Sequence, residues 1–118
     1  MEKINDWFSV EKNNNNITIV FNDNPNDKDY NQYLIYYANL YAQKERINIL
    51  FDCSNINYFP INYIYKIVVL MIKMEETHRN YLEKFTIKVT NPRIKTLINL
   101  VFDIRPPVVN YEIISSQY

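Results

Sequence analysis

The chain has 118 residues and 47% hydrophobic content, which predicts a single domain over 1–118 that buries roughly two-thirds of its unfolded surface. Thirteen basic and thirteen acidic residues give a net charge of zero, so we expect neither nucleic acid nor a membrane as partner. The chain contains no glycine, which excludes phosphate-cradling loops, dinucleotide fingerprints and nucleophile elbows, because these need positive φ or close backbone approach.

Residue usage also bears on the source and the compartment. Asn, Ile, Tyr and Lys are abundant and Ala is scarce, which suggests an AT-rich genome. Cys53 is the one cysteine and Met1 leads into charged residues, so neither a disulfide nor a signal peptide is expected. The most apolar run, 61–74, is shorter than the ~20 residues that span a bilayer. We therefore expect a cytoplasmic protein.

The first segment predicts a β-hairpin. Trp7–Glu11 and Ile17–Asn22 have the composition of strands, and the polar run Asn13–Asn16 separates them. Asparagine tolerates the left-handed conformation that glycine usually supplies in such turns. We expect Asn13–Asn16 to form the connecting turn.

A helix is predicted over about 27–45. Asn26 and Asp27 are candidates for its N-cap, and Lys44 and Arg46 would lie where a helix C-terminus favours cations. Its apolar residues recur at helical spacing: Tyr30, Leu34, Tyr37, Ala38 and Tyr41. We expect this tyrosine stripe to pack in the core, the alternative being that it stacks on a partner.

The remaining elements alternate between strand and helix. They are a strand at 47–52, a helix from Ile61 to about Leu82, a strand at 85–91, a helix from Pro92 to about Asp103 and a last strand at 108–115. Pro92 suits the first helical position because its φ is already fixed, and Pro106 and Pro107 would end that helix. After the hairpin, the order β-α-β-α-β-α-β implies parallel strands joined by right-handed crossovers.

Alternation within the strands indicates the fold class. In 85–90 the apolar residues take every odd position, whereas a sheet covered on both faces has nearly continuous apolar strands. The chain is therefore predicted to be a two-layer α/β domain, with a mixed sheet and helices mainly on one face. The covered face would carry Ile19, Phe21, Ile49, Phe51, Ile87, Val89, Tyr111 and Ile113, and the open face Thr18, Asn48, Thr86, Lys88 and Glu112.

The second predicted helix has more apolar residues than one sheet contact can use. Ile64, Val68 and Met71 form a core stripe, and only a narrow strip around Lys66 and Lys73 is expected to be solvated. Further apolar residues flank the stripe: Tyr65, Val69 and Ile72 on one side, Leu70 and Met74 on the other. Either neighbouring helices cover both flanks, or one flank contacts another protein or a second copy of this chain.

The segment 49–59 resembles a characteristic part of the STAS domain, the sulfate transporter and anti-sigma-factor antagonist family. It reads as the family's buried strand ending in aspartate, here Asp52, followed by a short loop into the second helix. The segments 87–91 and 97–100 are similar to the strand and helix that follow. The resemblance implies a two-layer α/β fold and a protein-binding role.

The same resemblance implies that the family's phosphorylation switch is lost. Antagonist members carry an Asp-Ser-Ser-Gly-like motif at the start of the second helix, where this chain has Pro60-Ile61-Asn62-Tyr63. Ile61 stands where a serine would be phosphorylated. Ser54 is an alternative acceptor, but its hydroxyl could equally satisfy local backbone donors.

Candidate ligand-binding residues follow the parallel strands. Asp52, Ser54 and Arg93 lie where such sheets bind ligands, and could hold a nucleotide or anion. The alternative is that these residues only form turns and caps. Cys53 needs a base to act as a nucleophile, and the sole histidine, His78, is expected at the far end of the second helix, so no catalytic dyad, metal site or cofactor is expected.

The sequence therefore predicts a non-catalytic, regulatory protein-binding module rather than an enzyme. Its predicted partner site comprises Pro60, Ile61, Asn62, Tyr65, Val69 and Ile72. Two alternatives stay open: a small-ligand or nucleotide sensor that uses the strand ends, and a self-associating structural subunit such as a homodimer.

Overall fold

The strands of the computed structural model, which describes residues 1–115, form a six-stranded mixed sheet in chain order. They are β1 (Glu2–Lys3), β2 (Phe8–Asn13), β3 (Asn16–Phe21), β4 (Ile47–Asp52), β5 (Leu82–Val89) and β6 (Asn110–Ser115). The first three pair antiparallel and β3 to β6 pair parallel. Residues 116–118 of the predicted domain lie outside the described part of the chain.

Four helices connect or follow the parallel strands. They are α1 (Asp27–Asn39), α2 (Ile61–Lys73), α3 (Glu75–Tyr81) and α4 (Pro92–Ile104). The crossovers lie mainly on one face, as the alternation predicted, and the core lies between this layer and the sheet. Within residues 1–115 no helix is both long and apolar enough to cross a bilayer.

The predicted hairpin is confirmed. Phe8 pairs with Phe21 at its open end and Asn13 pairs with Asn16 beside the turn. Asn14 has φ 57°, so an asparagine adopts the left-handed conformation that a glycine would otherwise supply. The sequence did not predict β1, which pairs only two residues with β2 at the sheet edge.

The two faces of the sheet also follow the prediction. Ile19, Ile49 and Val89 are buried, whereas Asn48 and Lys88 on the other face are exposed. Residues 17, 47 and 85 are buried on the covered face as well.

Tyr111 was expected to be covered, but it is 44% exposed. It lies on β6, an edge strand, where its ring stacks on Phe85 and packs edge-on against Phe102. Its face was therefore predicted correctly and its burial was not, because an edge strand has a neighbour on one side only.

The start of the first helix was predicted correctly and its end was not. The Asn26 side chain accepts a 2.7 Å hydrogen bond from the Asp29 amide, as an N-cap does. The helix ends at Asn39 rather than near 45, because the chain turns after Leu40 and Lys44 takes a left-handed φ of 54°. Arg46 pairs with Glu83 and does not lie in the last helical turn.

The predicted second helix, from Ile61 to Leu82, is two helices. Met74 leaves helical geometry with φ −102° and ψ 11°, and α3 follows. Leu82 then belongs to β5, where it pairs with Ile47 of β4. Pairing with β4 therefore places Leu82 in a strand, although helical periodicity predicts it at the end of the helix.

The last predicted helix is confirmed, with Pro92 as its first residue and Asn91 as its N-cap. The Asn91 side chain accepts a 2.8 Å hydrogen bond from the Arg93 amide. The final strand begins at Asn110 rather than at Val108.

Candidate functional site

The loop before α2 is tied to the hairpin side of the sheet. The Asp23 carboxylate accepts backbone hydrogen bonds of 3.1 Å from both Asn57 and Tyr58. Burial alone would raise the pKa of Asp23, but these hydrogen bonds outweigh it and the pKa lies below its ordinary value. Pro60, with φ −59°, then delivers the chain into the first turn of α2.

Tyr63 anchors the first turn of α2 to α1. Its hydroxyl donates a 2.7 Å hydrogen bond to Asp27, and its ring stacks on Tyr30 with 4.6 Å between centroids. The hydrogen bond to Asp27 raises the pKa of Tyr63 to about 12, with burial adding to the effect. Tyr63 is also the buried residue of α2, so this anchor fixes where the rest of the helix lies.

The outer face of α2 is apolar and exposed. Ile61 is 82% exposed, Tyr65 72% and Ile72 50%, and Val69 between them is half-buried. At 100° per residue these four positions fall within one sector of the helix. The structure thus places these four predicted partner-site residues on a common face, next to Pro60 and Asn62 at the helix start.

The two flanks of α2 differ. Leu70 and Met74 contact the core, as expected if neighbouring elements cover them. Tyr65 and Ile72 stay uncovered within the described residues. Lys66, expected in a solvated strip, is half-buried, with its ammonium 5.6 Å and 5.3 Å from the ring centroids of Tyr30 and Tyr63.

The inner face of α2 forms one side of a cavity of about 210 Å³. Ile64, Ile67, Leu70 and Met71 contribute from α2, and Leu97, Ile98 and Val101 from α4. The sheet supplies Phe21, Phe51, Phe85 and Ile87, and Trp7 and Tyr30 complete the end nearest the hairpin. The walls are almost entirely aliphatic or aromatic.

His78 lies at the wall of this cavity. Its Nε2 is 2.8 Å from the Tyr37 hydroxyl, which is 2.8 Å from the Tyr41 hydroxyl. Burial lowers the pKa of His78 to about 4, so the ring is neutral at pH 7. The tyrosines of the predicted stripe, Tyr30, Tyr37 and Tyr41, are therefore buried as predicted, whereas Ala38 is exposed. Tyr37 and Tyr41 form a hydrogen-bonded chain with His78.

Glu75, which lines the cavity, forms two ion pairs. Its carboxylate forms ion pairs with Arg79 at 2.6 Å and with Arg105 at the end of α4. The ion pair with Arg105 links the first residue of α3 to the C-terminal end of α4. Glu75 and Glu76 do not form an acid/base pair, because adjacent helix positions face different directions.

At the predicted ligand site beyond the strand ends, Asp52 and Ser54 form hydrogen bonds within the protein. The Asp52 carboxylate accepts a 3.0 Å hydrogen bond from the Ser54 amide, and the Thr90 hydroxyl donates to the Ser54 carbonyl. Among residues 1–115, no hydrogen bond or ion pair joins Arg93 to Asp52 or Ser54. These contacts account for Asp52 as a turn former, and ligand binding at this edge stays a prediction.

Cys53 faces the cavity with a protonated thiol. Burial, with a smaller contribution from Asp52, raises the pKa of Cys53 to about 12, whereas a nucleophilic cysteine needs a lowered pKa. Within the described residues, no group of three or more His, Cys, Asp or Glu side chains could hold a metal ion.

No protein-family model matches the chain. No curated protein matches it either. Among solved structures, the fold resembles that of a DUF3478-family protein from Shewanella loihica PV-4, whose crystal structure is described as having a SpoIIAA-like fold. The likeness has a TM-score of 0.62 at 11% sequence identity, and covers 94% of this chain and 85% of that one. This chain has a SpoIIAA-like fold, of the STAS type.

The SpoIIAA-like fold confirms the architecture that the segment 49–59 suggested. In this architecture Ile61 is the first residue of α2 and its side chain is largely exposed. At 11% identity the likeness concerns the fold alone, so the roles of individual residues must be argued from this chain.

The sequence did not predict the cavity or the position of Trp7 at its end. The one signal in the sequence is the surplus of apolar residues on α2, which predicts either an outer contact surface or cover from neighbouring helices. A cavity leaves no distinct pattern in the sequence, because the residues that line it have the same periodicity as closely packed core residues.

Proposed function

We propose that this protein is a non-catalytic, regulatory protein-binding module that contacts its partner through the outer face of α2. The observation that carries the proposal is the exposure of three large apolar side chains, Ile61, Tyr65 and Ile72, on one side of one helix. Exposed apolar surface that is contiguous is typical of contact sites, whereas scattered single residues are not.

The composition of this face supports a protein as the occupant. Tyrosine is enriched at the centre of protein interfaces, since its ring buries a large area and its hydroxyl can still hydrogen-bond. Asn62 adds a polar group at the rim and Pro60 a rigid start. Apolar anchors at i, i+4 and i+11 suit a groove on a partner that accepts one side of a helix.

The STAS-type fold supports a regulatory role without the phosphorylation switch. Ile61 occupies the position that the resemblance assigns to the phosphorylated serine, and an isoleucine cannot accept phosphate. An apolar side chain there would instead add to the contact surface. Regulation, on this proposal, depends on the partner's concentration or state rather than on phosphorylation of this residue.

The test uses a photo-crosslinking residue at position 65. Benzoylphenylalanine in place of Tyr65 should crosslink one protein in the source cell, which mass spectrometry identifies. The purified partner is then titrated against the wild-type chain and the double variant Ile61→Lys/Tyr65→Lys. We expect at least a tenfold loss of affinity, because removal of interface anchors commonly costs more than 1 kcal/mol each.

A matched control separates the surface from general hydrophobicity. Ile35 is an apolar residue on α1 with 65% exposure, so Ile35→Lys should leave the affinity unchanged. Equal loss in both variants, or none in either, would show that the assigned face is wrong. Sedimentation velocity on the chain alone addresses self-association: a dimer that Tyr65→Lys dissociates would make a second copy the partner.

A further inference from the structure

The cavity beneath α2 is large for a molecule of this size, and it is elongated. Protein interiors have few voids bigger than a water molecule, whereas this one measures about 210 Å³. Its lining on α2 extends from Ile64 to Met71, roughly 10 Å at about 1.5 Å per residue. An engineered apolar cavity of about 150 Å³ binds benzene, so in proportion this one takes roughly eight carbons. Its length favours a linear chain over a ring.

The wall along this length is almost entirely apolar. Ile67 of α2 and Leu97 and Ile98 of α4 lie on the helical side, and Phe51 and Phe85 on the side of the sheet. A polar group placed between them would lose its hydrogen bonds to water and gain none from the wall, which is costly. The buried part of any ligand must therefore be hydrocarbon.

The two ends of the cavity differ in their access to solvent. At the hairpin end the lining residues Trp7, Tyr30 and Ile56 are all buried. The other end, here the open end, includes Glu75 and residues 105–109 after α4, and each of these is half-buried or exposed. A charged group of a ligand keeps contact with water only at the open end, so a head group is expected there and not beside Trp7.

The open end carries a surplus of positive charge. The Glu75 carboxylate lies between two guanidinium groups, those of Arg79 and Arg105. Within residues 1–115 neither guanidinium has a second carboxylate at ion-pair distance. Arg105 also lines the cavity, its side chain is 39% exposed, and it donates to Glu75 through one terminal nitrogen. Because a guanidinium has several N–H donors, Arg105 can bind a further anionic oxygen.

We infer that the cavity binds a straight-chain carboxylate of roughly eight carbons, with its hydrocarbon tail between α2 and the sheet and its carboxylate on Arg105 at the open end. Arginine binds carboxylates in a fixed, charge-assisted geometry. An apolar pocket with few polar groups is the usual form of a small-molecule site. The site lies under the inner face of α2, so it can fail without the partner surface on the outer face, and the reverse also holds.

The test compares two probes with the same chain and opposite charge. Octanoate and octylammonium are titrated into the wild-type chain at pH 7 by isothermal titration calorimetry. We expect octanoate to bind with saturation and about fivefold more tightly than octylammonium, the modest ratio reflecting a partly exposed ion pair. Butyrate has the same head group and a shorter tail. It should bind at least tenfold more weakly than octanoate, because each buried methylene contributes to affinity.

Three variants locate the two parts of the ligand. Arg105→Gln should remove most of the preference for octanoate. Arg93→Gln should retain it, because Arg93 is exposed in the first turn of the same helix and outside the cavity lining. Ile67→Phe fills the space and should weaken the binding of octanoate. Equal losses in Arg105→Gln and Arg93→Gln would contradict the placement of the carboxylate.

Isoleucine methyl spectra check the position of the tail. Octanoate should shift the signals of the lining residues Ile64, Ile67 and Ile98 with one saturation curve, and leave that of Ile35, which is 65% exposed on α1, unchanged. The absence of saturable octanoate binding would overturn the inference. Equal or tighter binding of octylammonium to the wild-type chain would also overturn it, and this comparison decides even where a variant fails to fold.

Discussion

The two ends of the core use apolar residues in different ways. Between α1 and the hairpin, rings from sheet and helix interlock: Trp7, Phe8 and Phe21 meet Tyr30 and Tyr33 at centroid distances of about 5 to 6 Å. Beneath α2, aliphatic residues of α2 and α4 face aromatic residues of the sheet across a cavity of about 210 Å³. Apolar content, even with aromatic residues present, therefore does not by itself produce close packing.

The largest expected difference comes from truncating one residue at each end. Phe8 is fully buried, so Phe8→Ala should lower the free energy of unfolding by about 3 to 5 kcal/mol. Ile64 is half-buried beside the cavity, and Ile64→Ala should lower it by only about 1 to 2 kcal/mol. Urea unfolding measures both, and equal losses would contradict the comparison.

The next largest effect is a pH dependence of the free energy of unfolding that comes from His78 in the cavity wall. The pKa of His78 is about 4 in the folded state and about 6.5 when unfolded. The unfolded chain therefore binds more protons between these values, and the free energy of unfolding falls as pH drops from about 6.5 to 4, by at most about 3 kcal/mol.

The variant His78→Gln should remove this part of the pH dependence. Urea unfolding of wild type and variant at pH 7 and pH 4.5 gives the difference, and the comparison cancels the titration of the carboxylates common to both. An identical pH dependence in the two proteins would show that His78 does not contribute.

Enlarging a residue should have opposite effects at the two ends. Ile19 is fully buried in the sheet, so Ile19→Phe should cost about 1 to 3 kcal/mol through overpacking. Ile67 lines the cavity, and Ile67→Phe should add about 1 kcal/mol by filling it. Thermal unfolding compares them, and destabilisation by both would mean that the space beneath α2 is not available to a side chain.

The smallest expected effect concerns the helix starts. Asn26 caps α1 with its side chain, while α2 begins at Pro60 without a side-chain cap. Asn26→Ala should cost about 1 kcal/mol, and Asn31→Ala, at an exposed position within α1, should change stability by less than about 0.5 kcal/mol. Similar values for both would remove the cap as an explanation for where α1 begins.

The sequence predicted the sheet better than the helices. Alternation at 85–90 identified the covered face, because side chains of a strand alternate whatever surrounds them. Helix ends were less predictable: α3 ends at Tyr81 because Leu82 pairs with Ile47, a contact between residues far apart in the chain.

The candidate site was predicted in part for the same reason. The outer face of α2 has a periodic pattern, so Ile61, Tyr65 and Ile72 could be assigned to it from the sequence. The cavity beneath α2 could not, because its volume depends on the position of every neighbouring side chain.

Strand order in this sheet is the order of the chain, β1 to β6. Each strand finds its neighbour already in place when it leaves the ribosome, so the sheet can extend by one edge throughout synthesis. No strand has to insert between two others, an event that would require separating a pair already formed. The growing edge is always the most recently made strand.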